Sequence, residues 1–343
     1  METEDEVIYP RAVTIFASVC AIIFCVVGVA GNLITILALT RCPKLRTHPT
    51  TYFVLSLCIS DFIFCLINMP ITATRYIQEE WTLGEDLCKL FPVLFYGNVT
   101  LSVLNMVAIT INRYVLISCN QYYSRLYSKI SIYAQLAFIW TISFVILLPP
   151  LLGVWGDLGL NKTTFSCTIL KNENGSPKDA IFIVGFVLPC VVIITSYSCI
   201  FWKVRASRKN LEAHRKPSDK RSMRKERDDR RLTNLMVIIF ICFLSCFLPL
   251  MIVNVSVDEM NFPTLHVLAS ILAWFSSVIN PFIYAGSNRQ YREAYAKLLH
   301  LVKNTVSFSE SRHLSDVTNP THKTPNSSNQ NYAPVPVKTT ANI

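Results

Sequence analysis

Three short polar groups stand out of an otherwise apolar chain: Asp61, inside the run Tyr52 to Ile71; Asn112-Arg113-Tyr114, closing the run that carries Leu104, Asn105 and Met106; and Asn280-Pro281-Phe282-Ile283-Tyr284 at the end of the last run. None has the make-up of a catalytic centre, for no His-rich, Ser-His-Asp or Gly-rich phosphate motif falls within the apolar runs. Their chemistry is that of charge held in greasy surroundings. An Arg cannot shed its proton and is expensive in hydrocarbon, so Arg113 must sit near a membrane face, snorkel to it, or find polar partners on neighbouring helices. In the first case it only marks where a helix leaves the bilayer. In the last it is a permanent charge whose partners can change, which makes a switch. Asp61 is the only acidic residue inside any apolar run, and ionised it demands a cation or a polar cluster. Asn32, near Gly28 and Gly31 in the first run, is its expected partner, because small residues let helices approach closely and a buried amide needs a hydrogen bond.

Long helices must carry these groups. Seven apolar runs have about the 20 residues that cross ~30 Å of hydrocarbon: Val13 to Leu39, Tyr52 to Ile71, Leu90 to Ile111, Ile130 to Leu152, Ala180 to Trp202, Leu232 to Val257, and Leu265 to Ala285. In a chain of 343 residues, 52% hydrophobic and 16% charged, they leave no room for a soluble domain. The expected fold is an all-α membrane protein, a seven-transmembrane helix bundle. The opening Glu2, Glu4, Asp5 and Glu6 are acidic and the first run is longer than the apolar core of a cleavable signal peptide, so the first helix is expected to stay. Seven crossings put the termini on opposite sides. The segments after the first, third, fifth and seventh helices hold 26 of the 32 Lys and Arg; Arg11, Arg75, Lys89, Lys162, Lys171 and Lys178 are the rest, so the N-terminus is expected outside. The net charge of +10 thus reflects topology and gives no reason to propose nucleic acid as a partner.

Of twelve cysteines, eight lie in the runs, and Cys42 and Cys119 face a reducing cytosol under this topology. Cys88 and Cys167 remain, both outside and able to pin the loop after the fourth helix over the top of the third, unless both are free exterior thiols. Asn161 and Asn174 begin glycosylation sequons in that loop; Asn98 begins a third inside the third run and is expected to be unmodified. Prolines at 149, 150, 189, 249 and 281 kink four helices and make the bundle deformable. The basic loop Lys203 to Arg231 is expected to fix topology and touch anionic lipid, with contact to a cytoplasmic partner layered on top. Tyr291, Ala294, Tyr295, Leu298 and Leu299 recur at helical spacing and predict an amphipathic helix on the inner leaflet. The organisation expected is an exterior segment 1–12, a bundle 13–285, the amphipathic helix 286–303, and a disordered Ser/Thr-rich tail 304–343.

Taken in order, Gly31-Asn32, Asp61, Cys88 with Asn112-Arg113-Tyr114, Trp140, Pro189 with Tyr197, Phe243 with Pro249, and Asn280 to Tyr284 resemble one family, the rhodopsin-like (class A) G-protein-coupled receptors, over about Val13 to Leu299. Within it, the segment from Gly31 through Leu45-Arg46-Thr47 to Asn112-Arg113-Tyr114 looks like the insect moody and trapped-in-endoderm receptor group. The resemblance implies no enzyme, but a receptor that couples an outside agonist to a heterotrimeric G protein, Gi/o-type expected, by an outward swing of the sixth helix. It implies a switch of Asn112, Arg113, Tyr114, Tyr197, Asp229, Asn280, Pro281 and Tyr284. Asp229 either pairs with Arg113 or is solvated among neighbouring charges. The resemblance further implies a polar network of Asn32, Asp61, Asn98, Ser102, Ser276 and Asn280 that holds either an allosteric sodium ion or water, and no other cofactor. Receptor kinases and arrestin are expected partners of a plasma-membrane protein of this kind, through Ser307, Ser309, Ser311 and Ser315.

The departures from the family are informative. Asn112 stands where most members have Asp, so a neutral amide must restrain Arg113; Phe247 replaces a Trp; Phe95 replaces the Asp that anchors amines; and Trp274 replaces the Lys on which opsins form a Schiff base. By family geometry the ligand pocket holds Phe95, Val99, Phe247, Leu250, Asn254, His266 and Trp274. A mostly apolar lining suits a lipid or other amphiphile whose head group meets His266, Arg75 or Lys89. The outer segments carry 13 Asp or Glu against 6 Lys or Arg, which would equally suit a basic peptide. A transporter would need paired broken helices and a charged path, and only Asp61 qualifies.

Overall fold

The structure is a computed structural model that describes residues 9–42, 48–214, 220–256 and 262–299. Helix α1 spans Arg11–Arg41, and α2 runs from Thr50 to Gln78 through a π turn at Phe64–Asn68. Helix α3 is Glu85–Ser118, followed by a short α4 (Asn120–Leu126), α5 (Lys129–Val145) and α6 (Leu148–Leu151). An antiparallel hairpin of β1 (Asp157–Asn161) and β2 (Ser166–Leu170) precedes α7, which begins at Lys178 and continues helical to His214. The order closes with α8 (Lys220–Ser256), α9 (Pro263–Ser287) and α10 over residues 289–299.

Among the described residues, α1, α2, α3, α7, α8 and α9 are each long and apolar enough to cross a bilayer. The 17 residues of α5 rise only about 25 Å. The fourth run was expected to be one helix from Ile130 to Leu152, but it breaks at Ile146–Leu147. The cause is Pro149-Pro150: neither nitrogen can donate, and each ring would strike the carbonyl four residues back. Proline acts more gently where α2 and α7 loosen into π turns at Phe64–Asn68 and Ile183–Val187, just before Pro70 and Pro189. The expected helix 286–303 is trimmed too, because α9 runs to Ser287 and Asn288 makes the corner.

The interior combines an apolar core with buried polar side chains, and the surface is apolar. Asn32, Asp61, Asn98, Asn105, Asn112 and Asn280 are buried, whereas Ile15, Phe16, Val26, Phe138, Ile183 and Phe282 face outward. Lipid rewards that pattern, since exposed apolar side chains cost nothing there and polar ones must pair between helices. Close approach relies on two glycines. A Cβ at Gly28 would strike the Cys65 sulfur of α2, and one at Gly97 of α3 would lie 2.5 Å from the Phe144 ring of α5. At one end of the bundle a Cys88–Cys167 disulfide, Cα atoms 5.2 Å apart, ties β2 to the start of α3.

Adding one methyl at Gly97 should therefore overpack the α3–α5 contact by about 1–3 kcal/mol. Gly97→Ala is expected to lower the melting temperature of the purified chain by several degrees, and Phe144→Ala in the same chain to lose less than the two single losses combined. Strict additivity would mean that the two positions do not meet.

Candidate functional site

At the end of the bundle away from the disulfide, Arg113 is 1% exposed, an extreme setting for a permanent charge. Its guanidinium donates to the Thr50 hydroxyl over 2.7 Å, and that hydroxyl donates to the Asn112 carboxamide oxygen over 2.6 Å. The Asn112 amide in turn reaches the Tyr123 hydroxyl at 3.4 Å. Asn112 therefore restrains its neighbour through Thr50, the first residue of α2. Sequence reasoning passed over Thr50, since a Thr after Pro49 reads as an ordinary helix start. Tyr114 is half-buried, and Tyr197 of α7 lies against Phe240 with Arg113 and Thr110 beside it. The side chain of Asp229 lies outside the described ones.

Midway along the bundle sits Asp61, 1% exposed. Asn280 of α9 donates to one of its oxygens over 2.7 Å, and Ser102 of α3 to the other over 3.3 Å. Ser60 extends the network, 3.0 Å from the Ser102 hydroxyl and 3.4 Å from the Asn98 carboxamide oxygen. Two expectations change here. The Asn32 amide turns to the carbonyls of Gly28 and Ser277 instead of Asp61, bracing α1 against α9. The Ser276 hydroxyl turns back on the Ala273 carbonyl, while Ser277 is the serine of α9 that faces Asp61. Below Pro281, Tyr284 is fully buried and stacks on Tyr291 of α10 at 5.1 Å and 20°. Tyr291, Ala294 and Leu298 face inward, Tyr295 bonds to Thr35 at 2.9 Å, and Leu299 is exposed. Burial pushes the phenols of Tyr291 and Tyr295 above their usual range, so both remain neutral donors.

Toward the disulfide end, the expected pocket residues divide into two groups. Phe247 packs against Phe243 and Phe186 on the α7–α8 side, with Leu250 partly buried in the same cluster. Phe95 and Trp274 belong to another cluster with Phe64, Met69 and Tyr76 of α2, and Val99 packs against both clusters. His266 is buried on α9, Lys89 is an exposed partner of Glu85 at 2.8 Å, and the Asn254 side chain lies outside the described ones. A set of rings that sequence reasoning missed covers the Trp274 side: Tyr9, 5.0 Å from Phe165, which is 5.7 Å from Tyr76, itself 5.9 Å from Trp274. Phe165 reaches inward from the turn between β1 and β2 on a left-handed backbone, φ +39°, a conformation costly for an aromatic residue. Of the sequons, Asn174 is exposed, Asn161 half-buried at the end of β1, and Asn98 buried in α3. Residues 1–8, the segment 43–47 that carries Leu45-Arg46-Thr47, and the tail with its Ser307, Ser309, Ser311 and Ser315 lie outside the described residues.

Compared with known proteins, residues 31–284 match the 7 transmembrane receptor (rhodopsin family). The protein trapped in endoderm-1 of Drosophila melanogaster is 52% identical over 86% of this chain and 80% of its own length. The G-protein coupled receptor moody of the same organism is 34% identical over 84% of this chain, which spans about half (51%) of that longer relative. Human melatonin receptor type 1B is 29% identical over 82% of this chain and 77% of its own. Among solved structures, squid rhodopsin superposes with a TM-score of 0.75 at 25% identity, covering 86% of this chain and 87% of that one.

The Asn280–Asp61 bond yields a stability test. Asn280→Asp would set two buried carboxyls face to face and is expected to cost about 3 kcal/mol or more, seen as a fall in melting temperature. Exchanging the pair, Asp61→Asn with Asn280→Asp, should recover most of that loss, and no recovery would show that the partners do not meet.

Proposed function

The chain belongs to the rhodopsin family of seven-transmembrane receptors, and on that premise we propose that it is a plasma-membrane receptor, N-terminus outside, that activates a heterotrimeric G protein of the Gi/o type. The observation that carries this reading is the relay Arg113–Thr50–Asn112, in which a buried charge meets a hydroxyl that an amide holds in place. The state described is the resting one. Opening α8 away from α3 frees Arg113 to meet a helix of the G protein, with Tyr197 and Tyr284 moving into the space vacated. Receptor kinases and arrestin act on the tail, and Asn161 and Asn174 carry glycans.

A hydroxyl and a carboxamide hold a guanidinium less firmly than a carboxylate does, by about 1–2 kcal/mol. Ligand-free signalling is therefore appreciable. The oxygen-rich surroundings of Asp61, with Ser102, Ser60, Ser277 and Asn98 nearby, suit a hard cation, and sodium held there favours the compact bundle. The agonist is a lipid or amphiphile, supported by the aromatic and aliphatic character of the Phe95, Val99 and Trp274 cluster. A basic peptide is the second reading, favoured by the 13 acidic residues of the outer segments.

Two measurements test this. Ligand-free nucleotide exchange on a reconstituted Gi protein should fall about tenfold in Asn112→Asp, rise severalfold in Thr50→Val, and vanish in Arg113→Ala; equal basal rates in all four proteins would defeat the switch. The melting temperature should depend on sodium, against choline, in the wild type and not in Asp61→Asn, so an unchanged sodium response in that variant would remove the ion.

A further inference from the structure

Three polar residues on the outer half of α2 take no part in the machinery above. Asn68 and Thr72 are both 0% exposed, and neither Asn68 side-chain atom nor the Thr72 hydroxyl has a hydrogen-bond partner. The Arg75 Nε is likewise enclosed and unpartnered. Buried polar groups are seldom left so, because each forfeits its bonds to water. The three fall at i, i+4 and i+7 of the α-helical stretch Met69–Gln78 and its cap Asn68, hence in one column. The column is framed by contacts on the same helix. Phe64, one turn before Asn68, meets Phe95 of α3 at 5.4 Å, and Tyr76, one turn after Thr72, meets Trp274 of α9 and Phe165 of the hairpin. The unserved groups therefore lie between α3 and α9, beneath the turn that carries Phe165. Arg75 stands at the top, its guanidinium 4.4 Å from the Tyr76 ring centroid and one terminal nitrogen donating to the Thr164 carbonyl at 3.3 Å.

We propose that Asn68, Thr72 and Arg75 form the head-group subsite for a single-chain amphiphile bearing an anionic oxygen head, a reading that rests on the receptor function above and names its ligand class. The free donors are a guanidinium N–H, a hydroxyl and a carboxamide NH2, a set that suits carboxylate or phosphate oxygens. The apolar chain follows the rings of Phe95 and Trp274. Of the three cations or imidazoles expected at an anionic head, Arg75 alone joins this column, since Lys89 is already paired at the surface and His266 lies on α9. The contact of Arg75 with Thr164 places the head group directly under the Phe165 turn.

The test uses the full chain in nanodiscs of neutral phosphatidylcholine and three probes that share one chain and differ in the head: oleate, oleyl phosphate and oleyl alcohol. A hundredfold excess over Kd of at least one anionic probe should raise the melting temperature saturably by about 5 °C, with no rise from the alcohol. The rise should be lost in Arg75→Gln and in the double variant Asn68→Leu/Thr72→Val. Replacing idle buried polar atoms by apolar ones is near neutral or stabilising, so that double variant is expected to fold with an unchanged or higher melting temperature. Equal shifts from all three probes, no shift from any, or full shifts in the variants would overturn the proposal, leaving the polar atoms to buried water. Basal nucleotide exchange in the same discs separates the two readings: absent probe shifts beside a wild-type exchange rate that Arg113→Ala abolishes would overturn the head-group subsite alone, whereas equal exchange in wild type and Arg113→Ala would overturn the receptor function on which it rests.

Discussion

Hydrocarbon offers no hydrogen bonds, and the whole molecule answers to that constraint. A polar side chain carried into the bundle finds its bonds inside it or goes without, and those that reach another helix become the joints of the structure. Asn280 to Asp61 joins α9 to α2, Asn32 to the Ser277 carbonyl joins α1 to α9, and Trp140 to Ser56 joins α5 to α2. With little hydrophobic drive between helices, these bonds and the glycine contacts at Gly28 and Gly97 add to the packing of the apolar clusters. Such joints are directional, and a directional joint has discrete alternatives. A bundle fastened this way can hold two packings of similar free energy, which is the property a receptor needs.

The charge at Arg113 shows the constraint at its most severe. Burying a guanidinium costs several kcal/mol unless its donors are served. Here Thr50 accepts from one terminal nitrogen, with its own proton directed away to Asn112. A carboxylate in place of Asn112 would accept from the Arg directly and leave Thr50 with little to do. A neutral amide makes Thr50 the pivot, and the hydroxyl, as donor and acceptor at once, is the one small group that can link an amide oxygen to a guanidinium.

Much of this was legible in the sequence. The seven runs announce themselves because a bilayer admits only long apolar helices. The Cys88–Cys167 bridge follows from elimination among twelve cysteines. The rest was illegible for definite reasons. No periodicity marks Thr50 or Ser60, whose importance lies in what packs across from them. The π turn at Phe64–Asn68 leaves no mark in the apolar pattern, which runs on unbroken from Tyr52 to Ile71. The break at Ile146–Leu147 comes one turn ahead of the prolines that cause it, and the inward reach of Phe165 depends on a backbone conformation that no aromatic residue advertises.

The placement of the polar groups along α2 carries the last step. Thr50, Asp61, Asn68, Thr72 and Arg75 stand on one helix, from the Arg113 end to the turn that carries Phe165. A ligand that touched α2 alone would bind every packing of the bundle equally and shift nothing, however tight it was. Discrimination requires a second contact on an element whose distance from α2 differs between packings. The rings beside Asn68 and Thr72 meet that requirement: Phe95 lies on α3, which carries Arg113, and Trp274 lies on α9, which carries Asn280 and Tyr284. An amphiphile with its head on α2 and its chain along those rings would therefore bear on the three helices whose joints hold the bundle closed. The free energy available for switching is set by how differently it fits them in the two packings.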